Sequence, residues 1–245
     1  NCDQLPKVMI SMARTRSQQS VLNSIVQGVG ECPNVALARI WLLSNGDICD
    51  TCHFHDECPD QTHCLHLVAS AGNPRGRKKD YSRLVGDFRR FPLGVRKIGR
   101  VAATGEPLLL ENVQANENWI VNPKWTKSQH IQSFAAQPLI YHDEILGVLG
   151  IFDRSHLSPS DFEWIRIVAD HAAVSIANAR AFKEISDLKE RLQEENNYLR
   201  LEVSETLGSS GIVGVSPGLR NVMEKITLVA PTDASVMING ESGTG

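Results

Sequence analysis

Apolar residues recur at helical spacing along Met9, Met12, Val21, Leu22, Ile25, Val26 and Val29 and stop against Gly30, which predicts a first helix. The rhythm then changes. Six short runs rich in apolar and β-branched residues, 35–43, 65–71, 88–93, 107–110, 133–141 and 145–152, read as strands. The last two flank His142, Asp143 and Glu144 and so predict an antiparallel hairpin. Residues 95–103 read as a short helix closed by Thr104 and Gly105. Ser158 as N-cap, Pro159 at the first helical position and Asp161 in the first turn open a later helix. Its stripe of Phe162, Ile165, Val168, Ala169, Ala172, Ile176 and Ala179 has to close over the sheet. Beyond Arg180 the stripe thins to Ile185, Leu188, Leu192 and Leu199, near heptad spacing with Glu195 interrupting it. A helix of that kind leaves its domain and either self-associates, here through residues 180–205, or stands as a solitary solvated helix, before Gly208, Ser209, Ser210 and Gly211 break it as a hinge.

A chain of 245 residues with 42% hydrophobic and 22% charged residues holds one to two folded domains. No apolar run approaches the ~18 residues of a membrane span, and Asn1, Cys2 and Asp3 open no basic-then-apolar signal segment. The expectation is a cytoplasmic protein with no membrane partner. The net charge of −3 is unevenly spread: residues 75–100 hold ten of the 25 basic residues (Arg75, Arg77, Lys78, Lys79, Arg83, Arg89, Arg90, Arg96, Lys97 and Arg100) but only two of the 28 acidic ones, Asp80 and Asp87. Such a segment can meet nucleic acid, an anionic ligand or an acidic partner, although a solvated loop is the simpler expectation.

Four of the six cysteines, Cys49, Cys52, Cys58 and Cys64, fall within sixteen residues as C-x2-C-x5-C-x5-C, among His53, His55, His63 and His66. Cys2 and Cys32 stand apart from them. In a reducing compartment such a cluster reads as a metal site rather than a disulfide framework, with zinc and an iron-sulfur cluster both compatible with the spacing; the alternative is a loop of reactive thiols. Trp41 and Trp164 fit core faces, whereas Trp119 and Trp125 fall in a polar loop and are candidates to line a pocket. Asp170 and His171 are adjacent on a helix, so their side chains diverge by ~100°. No Ser-His-Asp set, carboxylate pair or H-E-x-x-H motif is present, no catalytic residue is assigned, and the first part of the chain reads as a binding module.

The order of elements is α+β. Ser133-Phe134-Ala135-Ala136-Gln137-Pro138-Leu139-Ile140 followed by Leu146-Gly147-Val148-Leu149-Gly150-Ile151-Phe152 resembles the paired strands of a GAF domain. The resemblance covers roughly residues 14–185 and departs from the family between Leu43 and Leu65, where the Cys- and His-rich insertion is expected to interrupt the sheet. At the other end, Gly240-Glu241-Ser242-Gly243-Thr244-Gly245 matches the first six positions of G-x-x-x-x-G-K-[ST], after a strand-like run at 234–238. Glycines there let backbone N–H groups converge on a phosphate. With Ile212-Val213-Gly214-Val215-Ser216-Pro217 and Val229-Ala230-Pro231-Thr232-Asp233-Ala234-Ser235-Val236, this segment resembles the opening of the AAA+ ATPase domain of sigma-54-dependent transcriptional activators.

That resemblance implies ATP with Mg as cofactor of the full-length protein, Ile212, Val213 and Gly214 beside the adenine, and Gly240, Glu241, Ser242, Gly243, Thr244 and Gly245 around the phosphates. It also implies sigma-54 RNA polymerase and DNA as partners through regions beyond Gly245, and no hydrolysis by a chain lacking the loop's lysine. The expected organisation is an N-terminal segment 1–13, a GAF sensor 14–179 with an insertion at 44–64, a linking helix 180–207, and the first part of an α/β AAA+ P-loop domain at 208–245. Rival readings are a GAF-containing signalling protein such as a histidine kinase, or a metal-binding interaction module.

Overall fold

The computed structural model describes residues 17–59, 61–76, 80–113, 122–208 and 214–241. Met9, Met12 and the 1–13 segment lie outside them. The chain divides into two compact units, one ending at Asp187 and the other beginning at Leu188.

The first unit is built on a six-stranded sheet in the order β3-β2-β1-β6-β5-β4, with every neighbouring pair antiparallel. Its strands are β1 (Val35–Asn45), β2 (His63–Ala71), β3 (Arg90–Pro92), β4 (Leu108–Leu110), β5 (Ser133–Tyr141) and β6 (Glu144–Asp153). The helices of this unit are α1 (Gln18–Gly30), α2 (Arg96–Thr104), α3 (Pro123–Ser128) and the start of α4 (Pro159–Gly208). Side chains alternate across a strand, so the central strands feed two cores at once. Ile40 and Leu42 of β1 join Val21 and Ile25 of α1 and Ile165, Val168 and Ile176 of α4 on one face. Trp41 of the same strand joins Phe91, Ile98 and Phe134 on the other. Cover on both faces explains why 133–139 is buried at every position and reads as a run rather than an alternation. Each fully buried side chain, such as Leu22, Ile40 or Ile151, contributes roughly 1.5–3 kcal/mol relative to exposure.

Local chemistry sets the boundaries. His142 and Asp143 adopt left-handed φ values of 47° and 65°, the two-residue turn that matches strand twist in the β5–β6 hairpin. Gly105, at φ 71°, ends α2 with its N–H on the Val101 carbonyl. At the start of α4 the Ser158 hydroxyl accepts from Asp161 N at 3.2 Å while Asp161 Oδ2 accepts from Ser158 N at 3.0 Å, a reciprocal cap. The stretch 88–93 yields only β3, because Asp87–Arg89 winds into a 3-10 turn first.

The Cys- and His-rich insertion does not interrupt the sheet, contrary to expectation. It caps the β1–β2 hairpin, where pairing continues to Asn45 opposite His63 and Gly46 N donates to Thr62 O at 2.8 Å. In the second unit, α5 (Pro217–Val229) follows the remainder of α4, opened by Pro217 and by Ser216 Oγ accepting from Leu219 N. The strand expected at 234–238 is extended coil, with Ile238 90% exposed. A strand needs a neighbour to take its backbone hydrogen bonds, and none is present there among the described residues.

Candidate functional site: an aromatic cavity beside a cysteine loop

A cavity of about 270 Å³ opens on the sheet face opposite α1 and α4. Its walls are rings from four strands and α3: Trp41, Phe91, Phe134, Phe152 and Trp125, with Tyr81 from the connection before β3. Hydrogen bonds and edge contacts fix them. Trp41 Nε1 donates to Phe88 O at 3.1 Å and its ring meets Phe91 edge-on at 5.7 Å. Trp125 Nε1 donates to the Tyr81 hydroxyl at 2.9 Å and meets Phe152 edge-on at 5.1 Å.

Three cations also line this space: Arg39, Arg96 and Lys97. Arg96 opens α2 with a left-handed φ of 55° and is gripped bidentately by Glu57, at 2.9 and 2.5 Å. Arg39 donates Nε–H to Ser70 Oγ at 3.2 Å, and Ser70 in turn donates to the Tyr81 carbonyl. Burial pulls the Arg39 pKa down, partly offset by Tyr81, yet a guanidinium stays charged. Lys97 lies with its Nζ 5.6 Å from the Phe134 ring centroid, and burial lowers its pKa to about 8. The basic segment is therefore not simply a solvated loop. Its residues Arg90, Arg96 and Lys97 are drawn into ion pairs and the cavity wall.

A second, smaller cavity of about 20 Å³ lies at the end of the β1–β2 hairpin, and Cys49, Cys52, Cys58 and Cys64 all line it. Two 3-10 turns, Cys49–Thr51 and His55–Glu57, fold the insertion over it, with His55 Nδ1 2.7 Å from Cys49 O. Gly46 makes the room: a Cβ there would stand 2.7 Å from Cys49 Sγ. Cys64 is buried, and burial raises its pKa to about 11, with Cys49 and Cys52 adding to the rise. The tightest group of donor atoms among the described residues is a different set, Asp47, Cys64 and His66, all within 4.8 Å of one another. Asp47, however, is already engaged bidentately by Arg90, whose guanidinium holds its pKa down to about 2. A cation is thus in place at that triad. Burial, then Arg90, lowers the His66 pKa. His53 packs edge-on against Phe54 at 4.9 Å, and Cys32 is disulfide-bonded.

Phe54, a residue that spacing does not single out, packs behind the aromatic cavity against its lining residue Phe91. It lies between Cys52 and Cys58, is 1% exposed, and stacks on Phe91 at 4.9 Å. Arg96 Cζ lies 5.9 Å from its ring centroid. Trp125 lines the aromatic cavity, as expected of a loop tryptophan, and Trp41 does so as well as filling the core; Trp119 lies outside the described residues. Of the nucleotide-binding candidates, Gly214, Gly240 and Glu241 lie in exposed coil, and Ile212, Val213, Ser242, Gly243, Thr244 and Gly245 lie outside the described residues.

An antiparallel sheet with helices on both faces and a ring-lined cavity defines an α+β sensor-type module. Residues 17–176 match the family model for the GAF domain, and the chain belongs to that family. The chain is similar to the GAF domain from a phosphoenolpyruvate-protein phosphotransferase of Coxiella burnetii, at 20% identity and a TM-score of 0.54, over 75% of this chain and 99% of that one. It is 33% identical over 123 residues to the formate hydrogenlyase transcriptional activator FhlA of Escherichia coli K12, covering 49% of this chain and 18% of that protein. It is 25% identical over 161 residues to the Nif-specific regulatory protein of Herbaspirillum seropedicae, covering 64% of this chain and 29% of that protein. The chain thus spans less than a third of the length of these curated relatives. No helix among the described residues is long and apolar enough to cross a membrane.

Proposed function

We propose that the chain is the signal-sensing part of a cytoplasmic sigma-54-dependent transcriptional activator, taking its signal as a small molecule in the aromatic cavity. The observation that carries this is the pre-formed cavity itself, concave, ring-lined and polar at a few points, in a GAF unit that aligns with transcriptional activators. The helix beyond Arg180 leaves Ile185, Leu188, Leu192 and Leu199 between 49% and 65% exposed, and residues 180–205 pair with a second copy through that seam. The segment from Ile212 to Gly245 opens an ATPase that uses ATP with Mg to remodel sigma-54 RNA polymerase at DNA. In the full-length protein, ATP-dependent transcription from a sigma-54 promoter is the expected result, and autophosphorylation on histidine with no such transcription points to a kinase instead. Leu192→Asp shifts the chain from dimer towards monomer in sedimentation; a wild-type chain that is monomeric at tens of micromolar refutes the pairing.

The convergence of Cys49, Cys52, Cys58 and Cys64 on one cavity, with Gly46 leaving room for a sulfur, supports a second site, for zinc or an iron-sulfur cluster. Elemental analysis of anaerobically purified protein is expected to find metal that Cys49→Ser or Cys52→Ser lowers and Cys2→Ser does not. Iron with acid-labile sulfide makes the site redox-responsive, zinc makes it structural, and four titratable thiols in folded, metal-free protein refute it.

A further inference from the structure

Two of the three cations in the aromatic cavity have no counter-charge among the described residues. Arg96 is neutralised by Glu57. Arg39 has spent its Nε–H on a neutral hydroxyl, and Lys97 lies by the Phe134 ring with no acid beside it among the described residues. No carboxylate among the described residues lines the cavity. Holding charge away from water is costly unless a partner repays it, so two uncompensated cations facing one cavity describe the partner that is to fill it.

The free hydrogen-bonding groups have one sense. Arg39 keeps the outer edge of its guanidinium, with four N–H donors, and Lys97 brings three more. The Tyr81 oxygen accepts from Trp125, which leaves its own hydrogen to give. The remaining polar side chains are engaged locally: Asn122 Oδ1 accepts from Trp125 N at 3.0 Å, and Thr126 Oγ1 donates to Pro123 O at 2.9 Å. Donors that carry positive charge fit an acceptor that carries negative charge, and an outer guanidinium edge fits the two parallel oxygens of a carboxylate. The surrounding rings fit a flat apolar body.

We propose that the cavity binds a small planar carboxylate, its carboxylate on Arg39 and Lys97 and its body between the rings of Trp41, Phe91, Phe134 and Phe152. The assignment rests on the cavity being the sensing site. A phosphate ester shares the anionic chemistry but brings a second charge and a tetrahedral head into a slot walled by rings.

Calorimetric titration of the chain with benzoate, benzamide and phenyl phosphate tests it. Benzamide keeps the shape of benzoate without its charge. Benzoate is expected to bind at least about tenfold more tightly than either of the others. Lys97→Met and Arg39→Met each lower benzoate affinity about tenfold and leave benzamide within about twofold, while Lys97→Arg retains benzoate binding. Removing an uncompensated cation also raises the melting temperature of Lys97→Met by a few degrees. A fall in melting temperature, with benzoate binding intact, makes Lys97 a support of the wall and overturns its assignment. Benzamide binding as well as benzoate, or phenyl phosphate binding better, overturns the carboxylate but keeps the cavity as a ligand site. No binding and no thermal shift with any of the three overturns the sensing cavity itself.

Discussion

Arg90 and Lys97 belong to one short basic stretch, yet the fold treats them in opposite ways. Arg90 turns to the cysteine loop and meets both carboxylate oxygens of Asp47, tying β3 to the β1–β2 hairpin. Lys97 turns to the rings of the aromatic cavity and meets no acid among the described residues. A charge with its partner built in holds structure, and a charge enclosed without one leaves a demand that a ligand can meet. Arg96 is of the first kind even though it lines the aromatic cavity, because Glu57 pairs with it while its guanidinium lies near the Phe54 ring.

The largest effect that tests this contrast is at Phe54. Phe54→Ala removes a ring that is 1% exposed and is expected to cost about 3–5 kcal/mol in denaturant unfolding. Its ring stacks on Phe91, which lines the aromatic cavity, so the same change is expected to weaken benzoate binding there. Unaltered benzoate binding in folded Phe54→Ala protein would make the cysteine loop independent of the cavity beside it.

Much of this architecture was legible in the chain. The Ser158, Pro159 and Asp161 cap, Gly105 and the His142-Asp143 turn act on their immediate neighbours, and each sets its boundary where its chemistry predicts. The spacing of the four cysteines points to a metal site, and the fold puts all four around one small cavity. What spacing does not carry is the direction a side chain takes once a sheet forms. Lys97 and Arg96 looked like part of a solvated stretch because their aromatic neighbours, Phe134 and Phe54, are remote in sequence. Trp41 read as core and is also cavity wall, since one strand serves both faces. The run at 234–238 has strand composition, but composition supplies no partner strand.

An intermediate effect comes from pH. Lys97 titrates at about 8 in the folded chain, below its usual 10.5, because burial penalises the ammonium. The charged form therefore costs stability at pH below 8, and that cost is relieved as pH rises towards the unfolded value. Anion binding has the reverse dependence: the ammonium that attracts benzoate is present below pH 8 and is lost above it. The other charged or titratable groups facing the site are Arg39, Arg96 with its partner Glu57, and Tyr81, and both arginines keep their charge. Benzoate affinity is expected to fall up to about tenfold from pH 7 to pH 9 in the wild type. Lys97→Arg is expected to flatten that profile; an equally steep profile in Lys97→Arg would assign the titration to another group.

The smallest effect belongs to the paired cation. Asp47 is 43% exposed at its side chain, so solvent screens the Arg90 pair and Asp47→Asn is expected to cost only about 0.5–1 kcal/mol, less in high salt. The residue left behind makes the comparison sharper. Arg90 is only 15% exposed, and without Asp47 it becomes a further enclosed cation without a partner, as Arg39 and Lys97 are. Adding Arg90→Met to Asp47→Asn is then expected to restore part of the lost stability, as Lys97→Met alone raises it. Double-mutant unfolding measures this directly. Additive losses at Asp47 and Arg90 would show that the two side chains act separately, and the distinction between paired and unpaired cations would not hold at this end of the sheet.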